Sequence, residues 1–160
     1  MQDIGKLNNT VIIYTSDNGY LFGEHRLIGK SAQYEEAIRV PLLMRGPGIP
    51  RNETRSQLVD NLNVVPTIVD LAQAKPDVAL DGQSLVPCFT NPDAVAREAL
   101  LLESTVNRFQ NPAKRYSSVR TPRLKYIRYN GGFEELFDLK VDPSELSSIT
   151  RPRTQFMPAN

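Results

Sequence analysis

Thr10-Val11-Ile12-Ile13-Tyr14-Thr15 is an unbroken apolar and β-branched run, and Ser16-Asp17-Asn18-Gly19 stands directly behind it. A run without polar alternation predicts a strand covered on both faces, as in the parallel sheets of α/β proteins. In such sheets ligands bind beyond the carboxyl ends of the strands, which is where Asp17 and Asn18 fall. A carboxylate and an amide oxygen are the hard donors that Ca²⁺ or Mg²⁺ takes. Asp-Asn-Gly is equally the composition of a plain turn, and spacing alone leaves both readings open. The stretch from Asp3 to Leu7 reads as the last turn of a helix stopped by Asn8-Asn9. The expectation is a chain that begins inside an α/β unit.

Ser31 is the expected N-cap of a short helix with Glu35 and Glu36 near its positive end. That helix must stop before Val40-Pro41, because a residue preceding proline avoids the α region. Val40 to Met44 then reads as a second buried strand, closed by the Gly46-Pro47-Gly48 turn, and Gln57-Leu58-Val59 as a short third. Val65, Ile68, Val69 and Ala72 follow helical spacing from Val64 to Ala74, with Pro66 tolerated in the first turn. Beyond it the segments shorten. Ala99–Glu103, Arg115–Thr121, Leu124–Tyr129 and Glu135–Leu139 predict an antiparallel sheet with one wet face, its last two strands joined through Asn130-Gly131-Gly132. The expected division is therefore 1–75, an α/β segment, and 76–160, a small antiparallel subdomain. The tail from Arg151 to Asn160 reads as loosely held.

Nineteen Lys and Arg against eighteen Asp and Glu leave a formal charge of +1 in 160 residues. That balance excludes an electrostatically driven nucleic-acid binder or a polybasic membrane-surface protein. Apolar residues at 40%, with nine glycines besides, form an ordinary globular composition, not a disordered one. No apolar run is long enough to span a bilayer. Met1-Gln2-Asp3-Ile4-Gly5-Lys6 holds no hydrophobic segment, so no secretory signal is expected. One cysteine, Cys88, excludes an internal disulfide, and one histidine, His25, excludes a two-histidine metal site.

The chemistry concentrates on one loop. Gly23-Glu24-His25 and Gly29-Lys30 follow within thirteen residues of Asp17, placing acid, amide, imidazole and ammonium behind one strand. A lysine beside glycine approaches an anion closely, and a histidine there donates a hydrogen bond or a proton. Arg39, Arg45 and Glu36 are weaker candidates; Arg39 pairs most simply with Glu35 or Glu36 along the helix. Cys88, in Val86-Pro87-Cys88-Phe89-Thr90, has no histidine nearby in sequence and reads as a structural thiol.

The ordered set Asn9-Thr-Val-Ile-Ile-Tyr-Thr-Ser-Asp-Asn-Gly19, Gly23-Glu24-His25, Gly29-Lys30, Tyr34-Glu35 and Arg39-Val40-Pro41 resembles the sulfatase family. Gly46-Pro47-Gly48, Pro66-Thr67, Asp81-Gly82-Gln83-Ser84-Leu85, Arg120-Thr121-Pro122, Lys125-Tyr126 and Asp142-Pro143-Ser144-Glu145 continue it in the same order. The resemblance implies an α/β fold: the C-terminal part of an alkaline-phosphatase-like sheet with helices, followed by a small antiparallel β subdomain. It implies a sulfuric ester hydrolase in which Asp17 and Asn18 are calcium ligands, Lys30 touches the sulfate and the leaving oxygen, and His25 lines the pocket.

The departures set the remaining expectations. The family's formylglycine nucleophile arises from a Cys or Ser followed at alternate positions by Pro and Arg, and no such pattern occurs here. Cys88 is followed by Phe89 and Thr90, so it does not carry that pattern. The family's upstream calcium aspartates are missing as well, and two oxygens do not satisfy a Ca²⁺ ion that takes six to eight. The chain alone is thus expected to be inactive, needing an N-terminal sulfatase segment or self-association to meet a sulfate ester. The alternatives are another alkaline-phosphatase-like phosphoester or phosphonate hydrolase, or a non-catalytic module from a truncated or split gene. The compartment is left open, although many family members are extracytoplasmic.

Overall fold

A computed structural model describes residues 2–104 and 115–150. The chain forms two compact units, Met1–Asp17 with Val40–Glu98, and Asn18–Arg39 with Ala99–Asn160. This partition is interleaved rather than consecutive, because residues beyond 75 supply the core of the first unit.

In that first unit β1 (Ile12–Thr15) pairs with β4 (Leu42–Arg45), Ile12 opposite Arg45 and Thr15 opposite Leu42. The pair is antiparallel, and both strands alternate exposed with half-buried positions, so neither is covered on both faces as the apolar run predicts. The N-terminal stretch is a turn leading into a 3-10 turn at Leu7–Asn9, not the end of an α-helix. Gln57-Leu58-Val59 takes no place in a ladder; Leu58 is buried and Val59 packs on the core, so the segment is held by side chains.

Helix α2 spans Val64–Leu71, with Pro66 in its first turn as expected. Asn63, fully buried, explains its start: its Oδ1 accepts from Asp60 N at 2.8 Å, and its Nδ2 donates to Gln83 O at 2.8 Å. Thr67 Oγ1 accepts from Leu85 N at 2.9 Å, and Ser84 Oγ donates to Asp70 Oδ2 at 2.6 Å. The Asp81-to-Leu85 motif is therefore a clasp on this helix. At Gly82 a Cβ would lie 1.9 Å from Leu62 O, so only glycine lets the clasp close. Helix α3 (Val86–Thr90) follows, and its last carbonyls, of Cys88 and Phe89, accept from Arg55 Nε and Nη2 at 2.8 and 2.9 Å. Leu85, Cys88, Phe89 and Ala96 form the core, which gives Cys88 the structural role read from sequence.

The second unit carries the four-stranded antiparallel sheet β5 (Leu100–Glu103), β6 (Tyr116–Arg120), β7 (Leu124–Tyr129) and β8 (Glu134–Asp138), in that order. All four predicted strands are present, and the Asn130-Gly131-Gly132 connection joins β7 to β8. Ile127, Phe137 and Tyr116 on the sheet pack with Leu21, Ala32, Tyr34 and Ala37 from the earlier segment. That segment holds a small ribbon, β2 (Leu21–Phe22) with β3 (Ile28–Gly29), and helix α1 (Glu35–Ile38). The N-cap of α1 is Tyr34 rather than Ser31. The Tyr34 side chain makes no capping bond; the Glu35 N–H donates instead to the Glu145 side chain, at 2.7 Å from Oε2. Among the described residues no helix is long and apolar enough to cross a membrane. The tail from Arg151 lies outside them.

Candidate functional site

Strand β1 ends at Thr15, and the main chain just beyond it is pinned: Asn61 Nδ2 donates to Ser16 O at 3.0 Å and to Asp17 O at 3.3 Å. Asp17 closes the first unit and Asn18 opens the second. Asn18 Nδ2 donates to Gly19 O at 2.7 Å, which orients the amide. Its Oδ1 accepts from Lys30 Nζ at 2.9 Å, so two of the predicted site residues meet.

Gly19 is more than a turn residue. Its N–H donates to Ala37 O at 2.8 Å, and Tyr20 N donates to Glu36 O at 2.9 Å. A Cβ on Gly19 would lie 2.0 Å from Glu36 O. Gly19→Ala is therefore expected to destabilise the protein by about 1–3 kcal/mol, the range for overpacking against atoms that cannot swing away. Gly131→Ala, where a Cβ meets nothing within 4 Å, is the control in denaturant unfolding. Equal stability of the two variants would refute the close approach.

His25 sits in a 3-10 turn, Glu24–Arg26, between the ribbon strands. Glu24 Oε2 accepts from Phe22 N at 2.6 Å, and main-chain N–H groups of Glu24 and Phe22 hold this carboxyl below its ordinary range. The His25 ring stacks on Tyr34, centroids 3.7 Å apart and planes 8° from parallel, with Nε2 3.4 Å from Glu36 Oε2. Glu36 thus faces His25, while Glu35 bonds Arg120 and Lys125. Burial, then the Glu135 charge, raises the Tyr34 phenol well above its usual value.

Beneath this lies a group of buried charges that composition gives no hint of. Lys125 is 0% exposed on β7; its Nζ donates to Gln33 O at 2.8 Å and to Glu35 Oε1 at 3.2 Å and forms an ion pair with Glu145. Arg120 Nη2 reaches Glu35 Oε2 at 3.2 Å. Tyr34-Glu35, Arg120, Lys125 and Glu145, scattered pieces of the sequence motif, converge here as a structural bolt. A lysine at an inward position of an alternating strand was the available signal.

Residues 23–156 match the family described as N-sulphoglucosamine sulphohydrolase, C-terminal. The chain belongs to the sulfatase family. It is 35% identical to Arylsulfatase K of Canis lupus familiaris over 93% of its own length and 29% of that protein's. It also resembles the solved structure of a protein in complex with its substrate D-glucosamine-2-N,6-O-disulfate, with TM-score 0.84 and 34% identity, covering 92% of this chain and 31% of that one. The phosphonate monoester hydrolase of Agrobacterium radiobacter is similar too, with TM-score 0.76 and 29% identity, over 92% of this chain and 32% of the other. The fold is α/β, of the alkaline-phosphatase-like type that these sulfatases share. The chain spans under a third of the length of these relatives.

Proposed function

We propose that this chain supplies the C-terminal share of a sulfuric ester hydrolase's active site. The observation that carries the reading is Lys30 Nζ held on Asn18 Oδ1 at 2.9 Å, Asn18 being the residue after Asp17 in sequence. In this reading the Lys30 ammonium stabilises charge that grows on the sulfate and leaving oxygens, and His25 hydrogen-bonds the ester from the pocket wall. Asp17 and Asn18 would hold Ca²⁺, whose chemistry when bound is to draw charge from the sulfuryl oxygens. The donors fit calcium in kind and not in number; among the described residues no group of three or more His, Cys, Asp or Glu could hold a metal. The other ligands and the nucleophile then come from an N-terminal sulfatase segment outside this chain.

The test is co-production of the chain with such a segment carrying matured formylglycine. Expected are hydrolysis of nitrophenyl sulfate and of a sulfated glucosamine, none by the chain alone, and loss in Asp17→Ala that excess Ca²⁺ partly restores. Turnover of a phosphonate monoester in preference to either sulfate would overturn the sulfatase reading in favour of the phosphonate one. Hydrolysis by the chain alone would refute the shared site.

A further inference from the structure

His25 and Arg26 are consecutive non-glycine residues in the left-handed region, at φ 54° and 57°. L residues adopt that conformation singly and at a cost, and it persists where surrounding structure over-determines it. The surrounding structure here is specific. The turn is closed by Arg26 N on Gly23 O at 3.1 Å and Leu27 N on Glu24 O at 2.9 Å. The imidazole, nearly buried, lies flat on Tyr34 with Nε2 3.4 Å from Glu36 Oε2. Both partners are themselves fixed. Tyr34 OH donates to Glu135, at 3.3 Å from Oε2, and that carboxylate also accepts from Tyr129 OH at 2.8 Å. Glu35, between Tyr34 and Glu36 in sequence, is bonded by Arg120, Lys125 and, through its N–H, Glu145.

We propose that Tyr34 and Glu36 are positioning residues that hold His25 ready for the ester, with the Lys125–Glu35–Glu145 group as their anchor. The flat Tyr34 ring fixes the plane of the imidazole, and the Glu36 carboxylate, 3.4 Å from Nε2, fixes which edge of the ring faces it. The catalytic half of this inference rests on the proposed function; the holding of the ring does not.

The experiment has two arms, one on the 160-residue chain and one on the complemented enzyme. As His25 is the one histidine, its imidazole signals in NMR assign themselves. Expected are upfield-shifted His25 ring protons with cross-relaxation to the Tyr34 ring, abolished in Tyr34→Leu and reduced in Glu36→Gln. Ring signals at random-coil positions in the parent would overturn the proposal. In the complemented enzyme, Glu36→Gln is expected to lower kcat about tenfold to a hundredfold, the scale of a misplaced catalytic group, with KM nearly unchanged and Glu36→Asp restoring part. On a His25→Ala background Glu36→Gln should add nothing, because it acts through the histidine. Additive losses would overturn the positioning role. Full activity of His25→Ala would sink the pocket reading of His25 and this role in catalysis, while the NMR arm still decides whether Tyr34 and Glu36 hold the ring.

Discussion

Lys125→Met is expected to destabilise the protein by about 3–5 kcal/mol at neutral pH, the usual result of removing one partner from a buried ion pair. The side chain is 0% exposed, and its ammonium sits between the carboxylates of Glu35 and Glu145, the latter side chain also fully enclosed. Methionine fills the volume and leaves both carboxylates facing each other's charge. Arg120 still bonds Glu35, whereas Glu145 keeps only the Glu35 N–H among its bonds described above. The pH dependence has a definite sign. Burial pushes the Glu35 carboxyl up, but Arg120 and Lys125 outweigh it and hold the group below its ordinary value. Its contribution is thus present above the unfolded carboxylate range and fades as pH falls through the folded value. Burial leaves Glu145 raised even with Lys125 beside it, so its contribution is full below that range and lost as pH rises through the folded value. Removing Lys125 moves both upward. The deficit of Lys125→Met should therefore shrink as pH falls from 7 toward about 4, where the carboxyls accept protons. Denaturant unfolding followed by circular dichroism at both ends of that range measures it. A loss under about 1 kcal/mol, the worth of an exposed pair, would mean the lysine is solvated.

Lys30→Ala should lower turnover of the complemented enzyme by about a hundredfold or more, the scale of losing one donor that stabilises transition-state charge. Lys30 is exposed, so its loss should change stability by no more than about 0.5 kcal/mol. That separation makes the two lysines opposites: Lys125 acts on folding and Lys30 on rate. Lys6→Ala, ahead of β1, serves as the nearly silent control. An enzyme indifferent to Lys30→Ala would reduce the Lys30–Asn18 contact to a local hydrogen bond.

Short-range rules made the candidate site legible. Apolar residues before Asp17, glycines beside His25 and Lys30, and the order of motifs along the chain all belong to sequence neighbourhoods of a few residues. The Lys30–Asn18 contact spans only twelve positions. Tyr34 was legible only as a motif letter and Glu36 only as a weaker candidate near a helix start, since stacking and ion pairing with His25 depend on a turn that holds two residues at positive φ. No propensity favours such a turn in Glu24-His25-Arg26.

The sequence by itself determined the four-stranded sheet, the α2 helix with its first-turn proline, the Asn130-Gly131-Gly132 hairpin and the loop position of Asn18 and Lys30, which meet. Each follows from side-chain period or turn chemistry, which act locally. Only tertiary structure decided that β1 pairs antiparallel with β4 and lies half exposed, because an apolar run records a preference for burial and names no partner. Only tertiary structure placed 81–85 as a clasp on α2, through Asn63 and Thr67 hydroxyl and amide bonds formed across some twenty residues. It alone turned Lys125 inward beside Ile127 on β7. A strand's period assigns faces but not sides, and a charge tolerates the dry side only where opposite charges meet it. Here those are Glu35, ninety residues earlier, and Glu145.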